Sequence, residues 1–320
     1  MPATNSIADL VPVLVSDISI PFLKYKRNLV SSVYTMQSFA NEPRGGQVVN
    51  IVLPTAPLAT GQLSFTSANS PTAIVLPDVT LTINNFPYVK MNFNELEARI
   101  SQGNEQRILK EILTGMAEST LQQVEVQVAS LWPYFPIVGA NNKRLDDETM
   151  RTAMVQLMNN RIDPTTNKVR FRGTSTQYGR DLFDIDRYVL ATDSGVGFNT
   201  DGATNPLRTG EIPSLYNINA SWNNAMPSQS FSGAGTEIGM LLEENAIGIC
   251  FMKFAPVDRF SMGSAAVTEW WTEDAESGIT LNWRMYFTPD PGIAYIQCSC
   301  ATGVAVIDAN RGRTIMSSTA

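Results

Sequence analysis

The chain has 320 residues, of which 43% are hydrophobic and 17% are charged, and this composition indicates a folded protein with a sizeable core. The net charge of −7 and the pI near 4.8 argue against a surface that grips nucleic acid, which needs clustered lysine and arginine. The sequence contains no histidine, which removes the commonest general base, the Ser-His and Cys-His nucleophile pairs and the usual zinc ligand.

Residues 1–45 are predicted to form an N-terminal arm. Prolines interrupt its apolar stretches, and a basic cluster of Lys24, Lys26 and Arg27 follows them. The stretch lacks the order of a signal peptide, because Asp9 precedes the apolar residues and the basic residues come after them. No run approaches the roughly 18 apolar residues of a membrane span. We therefore expect a chain that is made and kept in a cytoplasm.

Residues 46–90 are predicted to form short β-strands. Strands are expected at 48–54, 72–79 and 79–91, where β-branched and apolar residues cluster or alternate. Residues 55–72 between them are rich in Thr, Ser, Ala, Gly and Pro, and this composition predicts a two-stranded excursion. An isolated hairpin is marginal in water, so we expect another chain to supply a surface for it.

Residues 93–132 are predicted to form one long helix. The segment holds no proline before Pro133, and apolar residues recur at helical spacing with polar residues between them. The apolar stripe, interrupted near 101–104, comprises Leu96, Ile100, Ile108, Leu109, Ile112, Leu113, Met116, Leu121, Val124, Val128 and Leu131. A continuous helix would be roughly 55–60 Å long at about 1.5 Å per residue. This length suggests a strut in a flat, extended protein.

The second half is predicted to contain a short helix, a long irregular stretch and closing strands. Asp146 or Asp147 can cap a helix that runs to about Arg161. Its predicted apolar face comprises Met150, Met154, Leu157 and Met158. A strand is expected at 168–173, an irregular stretch at 194–239, and strands at 278–287 and 293–308.

The three cysteines, Cys250, Cys298 and Cys300, are predicted to be small buried thiols. Their odd number fits neither a disulfide scaffold nor a zinc site. Cys298 and Cys300 alternate with polar residues in a predicted strand, so both should point to one face. We expect a reducing compartment and no metal.

Several features imitate catalytic sites, and each has a simpler explanation. Glycines 233, 235 and 239 imitate a dinucleotide-binding loop, but the required buried strand does not precede them. Two carboxylate pairs suggest glycosidase chemistry, although neighbouring acids on a polar stretch are more often solvated. The pairs are Asp184 with Asp186, and Glu243 with Glu244. We predict no catalytic, cofactor-binding or metal site, and keep a carboxylate-dependent glycoside hydrolase as an alternative.

The adjacent tryptophans Trp270 and Trp271 admit two interpretations. They are either a platform for a sugar or an anchor for packing or for an interface. Their position beside a loop rich in acids favours the anchor.

Taken in order, these segments resemble the major capsid protein of tailed bacteriophages, the Hong Kong 97-type fold. The likeness rests on the arm 1–45, the hairpin strands at 48–54 and 79–91, the helix at 97–132 and the closing strands. The stretches 207–227 and 299–315 resemble recurrent turn-and-strand patterns of that family. The likeness covers nearly the whole chain and is architectural, since no single motif is diagnostic.

The resemblance implies an α+β fold with five regions. These are an N-terminal arm at 1–45, a β-hairpin extension loop at 46–90, and a spine helix with the start of the peripheral and axial domains at 91–162. An axial domain with long loops follows at 163–260, and peripheral-domain strands with the C-terminus at 261–320.

The resemblance also implies a function. The chain would assemble in the host cytoplasm into hexamers and pentamers of an icosahedral shell that encloses double-stranded DNA, and it would be neither an enzyme nor a cofactor-binding protein. Its partners would be copies of itself, portal and scaffolding proteins, and decoration proteins. An encapsulin-like nanocompartment shell, which shares the fold and holds enzymes, is the alternative.

The candidate inter-subunit contacts lie in the arm, the extension loop and the tryptophan pair. They are Lys24, Lys26, Arg27, Arg44, Leu58, Leu63, Phe65, Trp270 and Trp271. The basic cluster of the arm has two interpretations: a bridge to an acidic surface of a neighbouring subunit, which we favour, or a contact with DNA or a scaffold. Some members of the family crosslink their shells through a hairpin lysine, but no lysine lies between residues 41 and 89. We therefore expect a shell without covalent crosslinks.

Overall fold

The computed structural model describes twelve stretches of the chain between residues 34 and 318. The described residues are 34–36, 48–52, 78–92, 105–140, 143–164, 168–173, 176–185, 218–222, 236–253, 267–274, 278–288 and 293–318. Within them the chain forms three α-helices, α1 (Glu105–Ser130), α2 (Asp147–Asn159) and α3 (Thr176–Asp184). The predicted mixture of helices and strands is confirmed.

Fourteen strands accompany these helices within the same residues. The first seven are β1 (Tyr34–Met36), β2 (Val48–Val52), β3 (Asp78–Thr82), β4 (Tyr88–Asn92), β5 (Ile137–Gly139), β6 (Val169–Gly173) and β7 (Asn219–Trp222). The other seven are β8 (Thr236–Glu243), β9 (Ile247–Met252), β10 (Val267–Glu273), β11 (Thr280–Thr288), β12 (Ile293–Ser299), β13 (Ala301–Val306) and β14 (Gly312–Ser318).

The described strands form four sheets. An antiparallel sheet has the order β10-β11-β12-β4, and a mixed five-stranded sheet has the order β5-β14-β8-β6-β7. A three-stranded sheet has the order β1-β9-β13, and β2 pairs with β3 in an antiparallel ribbon.

Helix α1 forms because its apolar residues recur every three or four positions, and the helix buries that face. Leu109, Leu113, Leu121, Val124 and Val128 are fully buried against the four-stranded sheet and the β8–β9 region. The 26 residues of α1 span about 39 Å at ~1.5 Å per residue. Trp132 and Pro133 end the helix in a short 3-10 turn. The long helix is therefore confirmed through Ser130, while the predicted residues 93–104 lie outside the described part of the chain.

Helix α2 begins as predicted and ends earlier than predicted. The Asp146 carboxylate caps it by accepting a hydrogen bond from the Thr149 backbone N–H at 2.8 Å. Its last residue is Asn159 rather than Arg161, because Arg161 adopts a left-handed conformation with φ of 65°. Met158 was wrongly assigned to the buried face. Met150, Ala153 and Leu157 are buried, whereas Met158 lies one position further round the helix and is 47% exposed.

Two predicted continuous strands are each divided between two sheets. Residues 79–91 contribute to β3 in the ribbon and to β4 in the four-stranded sheet, and residues 293–308 contribute to β12 and β13. Both segments pass from one sheet to the other at the same corner. There the Cys300 N–H donates to the Pro87 carbonyl, and Asn85 forms a β-bridge with Thr302. Proline has no N–H for a regular ladder, which explains the break at this point.

Within the described residues, three buried clusters hold these layers together. The first joins α1 to the four-stranded sheet, and the second joins α2 and α3 to the five-stranded sheet. The third packs Leu81 and Ile83 against Cys250 and Met252. All three cysteines are buried free thiols, as predicted.

Candidate binding groove

Among the described residues, one face of the four-stranded sheet packs on α1 and the other, which we call the open face, carries a groove. Alternation along β11 directs Leu281, Trp283 and Met285 into the core with α1. Asn282 and Arg284 point the other way and line a groove on the open face. The groove has a volume of about 320 Å³. This volume lies within the range of small-molecule sites, roughly 300–1,000 Å³.

The floor of the groove is polar and follows the strand register. In one row Ser299 of β12 pairs with Asn282 of β11, and in the next row Gln297 pairs with Arg284. Arg284 pairs in turn with Glu269 of β10, and its Nε lies 2.6 Å from the Glu269 Oε1. Asn282 and Ser299 are buried: the Asn282 Nδ2 donates to the Met252 carbonyl oxygen at 3.2 Å, and the Ser299 Oγ donates to the Asn282 carbonyl oxygen at 3.3 Å. The polar groups of the floor that remain for a ligand are therefore Gln297 and the Arg284–Glu269 ion pair, whose charges cancel.

The rim of the groove is aromatic. Phe86 is 44% exposed, Tyr88 is 65% exposed and Trp271 is 40% exposed. Tyr88 and Trp271 lie at the two ends of the row that runs through Ser299 and Asn282. Large aromatic side chains that expose this much area to water are typical of surfaces that bind a partner.

The adjacent tryptophans have different environments. Trp270 is half-buried and stacks on Trp283, with ring centroids 6.4 Å apart and planes at 5°. Trp271 points to the other face and lines the groove. Trp270 therefore packs within the subunit, and Trp271 is the exposed member of the pair. Contact of either tryptophan with a neighbouring subunit stays a prediction.

Lys90 lies beside the groove and is engaged by two tyrosines. Its Nζ is 4.1 Å from the ring centroid of Tyr295 and 5.0 Å from that of Tyr286. A hydrogen bond with Tyr286 raises the pKa of Lys90 above its ordinary value, and the nearby tyrosine charges add to the effect. The ammonium therefore remains protonated through the neutral range.

The cysteines are unsuited to nucleophilic chemistry. Burial raises the pKa of Cys298 to about 12, and it raises the pKa of Cys300 well above the ordinary thiol value. Burial also raises the pKa of Cys250. Since the thiolate is the reactive form, these thiols serve as core packing.

The carboxylate pairs do not form a shared cleft within the described residues. Glu243 is buried and lies 3.0 Å from the Arg311 Nη1, so its predicted solvation was wrong. The counter-charge of Arg311 and two hydrogen bonds from Asn245 explain how the carboxylate tolerates burial. Glu244 instead pairs with Lys168 at 3.2 Å. Asp184 is exposed, and Asp186 lies outside the described part of the chain.

Seven of the nine predicted contact residues lie outside the described part of the chain. They are Lys24, Lys26, Arg27, Arg44, Leu58, Leu63 and Phe65. Phe86 and Tyr88, which the sequence interpretation missed, form part of the groove. The signal for them was present, because two aromatic residues flank Pro87 at a strand boundary.

Among the described residues, no group of three or more side chains has the composition of a metal site. No helix in the described ranges is long and apolar enough to cross a membrane.

Comparison with known proteins identifies the fold. No protein-family model and no curated protein sequence matches the chain. The structure is similar to the mature capsid of bacteriophage PhiM1, with a TM-score of 0.54, 8% identity, and coverage of 91% of this chain and 87% of that chain. A structure from Mycobacterium phage Che8 has a TM-score of 0.52 at 14% identity and covers 85% of each chain.

A virus-like particle from Pyrococcus furiosus is similar over an even larger share of the chain. Its TM-score is 0.51 at 9% identity, and the match covers 95% of this chain and 98% of that chain. These two solved structures are a phage capsid and a virus-like particle. The chain has the fold of phage capsid proteins, as the sequence resemblance predicts.

Proposed function

We propose that the chain is the structural subunit of an icosahedral virus shell. The observation that carries the proposal is the shared fold, which extends over most of both chains and includes a mature phage capsid. In this proposal the subunits form hexamers and pentamers, assemble in a host cytoplasm and enclose double-stranded DNA in the virion. Portal, scaffolding and decoration proteins would be further partners.

The physical basis of assembly would be many weak contacts between different patches, which close through symmetry. The predicted arm, extension loop, spine, axial and peripheral regions remain proposals, as do the contacts of Leu58, Leu63 and Phe65 with a neighbouring copy. Residues 53–77, which lie between β2 and β3 in the sequence, contain no charged side chain. A neutral segment that carries Leu58, Leu63 and Phe65 gains stability by contacting a protein surface.

The charge of the chain suits a container for DNA. A net charge of −7 keeps non-specific attraction to phosphates low, and a strongly basic wall would hinder packing and release of a genome. The basic cluster of Lys24, Lys26 and Arg27 is proposed to meet carboxylates of a neighbouring subunit rather than DNA.

The proposed shell has no covalent crosslinks between subunits. Lys90, the lysine at the base of the extension loop, holds its ammonium over two tyrosine rings. A protonated lysine is a poor nucleophile. Denaturing gel electrophoresis of purified particles under reducing conditions should give a single band near 35 kDa. A ladder of multimers in that gel would show that the subunits are crosslinked.

A shell with a cargo other than DNA is the second candidate. One of the solved structures with this fold is a virus-like particle rather than a phage capsid. An encapsulin-like compartment would copurify with protein cargo, whereas a virus shell would protect DNA from nuclease.

Electron microscopy of the purified protein is the direct test of the proposed function. We expect closed particles or ring-shaped oligomers, with a scaffold protein supplied if one is needed. Leu63→Asp and Phe65→Asp should reduce assembly, and Val155→Asp on the exposed face of α2 is a control for the added charge. A monodisperse 35 kDa monomer that assembles under none of these conditions would overturn the proposal.

A further inference from the structure

We propose that the groove on the open face of the four-stranded sheet is a binding site for a neutral oligosaccharide. The inference goes beyond the proposed shell function and does not depend on it. It rests on the shape, charge and hydrogen-bonding groups of the groove.

The aromatic rim provides the surface on which a sugar ring stacks. A pyranose ring has an apolar face of C–H groups and an edge of hydroxyl groups. Trp271 and Tyr88 present exposed aromatic surface at opposite ends of one row across the sheet, with Phe86 beside Tyr88. Rigid aromatic side chains give contact area with little loss of conformational entropy.

The floor supplies partners for hydroxyl groups. Gln297 lies at the floor of the groove, and its side-chain amide makes no hydrogen bond to another described residue. An amide can donate and accept, and a guanidinium beside a carboxylate offers donors and acceptors side by side. Arg284 and Glu269 form such a pair, with side-chain exposures of 27% and 14%. Vicinal hydroxyl groups match this arrangement.

The charge of the groove disfavours anionic ligands. Arg284 is neutralised by Glu269 at 2.6 Å, so the lining has no net charge. Lys90 follows Gln297 in the same row, but its ammonium lies over the rings of Tyr286 and Tyr295. A nucleic-acid strand needs uncompensated positive charge along its path. A neutral ligand fits better than a phosphate or a carboxylate.

The size and position of the groove disfavour a long peptide. A volume of about 320 Å³ is at the lower end of the range for small-molecule sites, roughly 300–1,000 Å³. The groove crosses the inner strands β11 and β12, whose backbone groups already pair with neighbours. Addition of a peptide strand needs a free sheet edge. One or two sugar rings therefore suit the groove better than an extended segment.

Saturation-transfer NMR with cellobiose and maltose tests the site. We expect transfer to the ring C–H protons and a Kd on the order of 1 mM, with much weaker transfer to glucuronate. Trp271→Ala should weaken binding at least about tenfold, and Trp271→Phe should retain most of it. Tyr134→Ala removes another exposed aromatic side chain, outside the groove lining, and should change nothing.

Circular dichroism melting of each variant separates loss of binding from loss of fold. The proposal is overturned if neither sugar shows transfer, or if a folded Trp271→Ala variant binds as well as the unaltered protein. A second arm compares unassembled subunits with intact particles. Binding that persists in particles supports the proposal, whereas binding that disappears on assembly would identify the groove as a contact between subunits. That last outcome would leave the proposed shell function standing.

Discussion

The buried ion pair between α1 and β6 gives the sharpest prediction about stability. The Arg172 Nη2 lies 2.5 Å from the Glu125 Oε1, and the two side chains are only 1% and 0% exposed. The pair joins the long helix to the five-stranded sheet. Arg172→Met should leave a carboxylate in the core without this arginine.

Protonation of Glu125 limits how much unfolding free energy the Arg172→Met variant can lose. A buried carboxylate that loses its counter-charge can take up a proton. At pH 7 this costs about 3.7 kcal/mol for a glutamate that ordinarily titrates near pH 4.3. Removal of one partner of a buried ion pair typically costs about 3–5 kcal/mol, which agrees with this cost of protonation. At pH 5 the same protonation costs only about 1 kcal/mol, so the loss in this variant should shrink in mild acid.

Removal of both charges should cost much less than removal of one. The Nε and Nη1 atoms of Arg172 are buried without a hydrogen-bond partner among the described residues, and an unsatisfied buried donor costs about 1–3 kcal/mol. The double variant Arg172→Met with Glu125→Leu should therefore lie within about 1 kcal/mol of the unaltered protein or exceed its stability.

Urea denaturation of unassembled subunits at pH 7 and pH 5 measures these free energies of unfolding. The full cycle includes Glu125→Leu alone, which should also destabilise because it leaves the arginine charge buried. The reasoning is refuted if Arg172→Met loses less than about 1 kcal/mol at pH 7, or if the double variant is as unstable as the single ones.

Three further predictions concern the long helix, a helix cap and the lysine beside the groove. Leu113→Asp places a charge in the core and should cost several kcal/mol, on the order of 3–5, whereas Gln123→Ala on the exposed face should cost almost nothing; chemical denaturation compares them. Asp146→Ala should cost about 1 kcal/mol by thermal melting, and Asp146→Asn less. Burial alone would raise the pKa of Asp146, but the hydrogen bonds from Thr149 outweigh burial and lower the pKa below 3.8. The stability advantage of the carboxylate over Asn should therefore vanish as the pH falls through that lowered pKa. Because the pKa of Lys90 is raised, its stabilising contacts are fully present below pH 10.5 and are lost as the pH rises through the folded-state pKa. The melting temperatures of Lys90→Met and of the unaltered protein should therefore converge only at strongly alkaline pH.

The elements predicted best are those in which one physical signal dominates. The stripe from Leu109 to Val128 predicts a helix because only a helix buries residues at that spacing. Asp146 predicts the start of α2 because a short acidic side chain there satisfies a free backbone N–H. Both signals lie within a few neighbouring residues, so they can be recognised without knowledge of tertiary contacts.

The division of strands between sheets could not be predicted in the same way. Residues 79–91 and 293–308 each have the composition of one strand, and the two stretches change sheet together at Asn85 and Thr302. The place of the change depends on their pairing with each other, which is a contact between residues more than 200 positions apart. Pro87 was the one local signal for the break.

The groove and the buried charges depend on tertiary contacts as well. Trp270 and Trp271 are equivalent in the sequence, and only the pleat of β10 separates the packing residue from the exposed one. Glu125 lies between Val124 and Val128 on the apolar face of α1, so its burial could have been suspected from its position. Its partner Arg172 lies 47 residues away, and no local pattern indicates the pairing.

We expect the corner at Asn85 and Thr302 to set the position of the β2–β3 ribbon against β9 and β13. Gly303 is the residue that tests this expectation. A Cβ at Gly303 would lie 2.7 Å from the Thr82 carbonyl oxygen, which is a backbone atom that cannot swing aside. Gly303→Ala should therefore displace β3 and cost about 1–3 kcal/mol.

Gly115→Ala on α1 is the matched control. Nothing lies within 4 Å of the added Cβ there, and alanine in a helix is favoured over glycine by about 1 kcal/mol. The two variants should thus shift the melting temperature in opposite directions. In the proposed shell the ribbon carries the segment with Leu63 and Phe65, so Gly303→Ala should also reduce the yield of closed particles in electron micrographs, whereas Gly115→Ala should preserve it. Equal stability and equal particle yield for the two variants would show that the corner does not set the course of the ribbon.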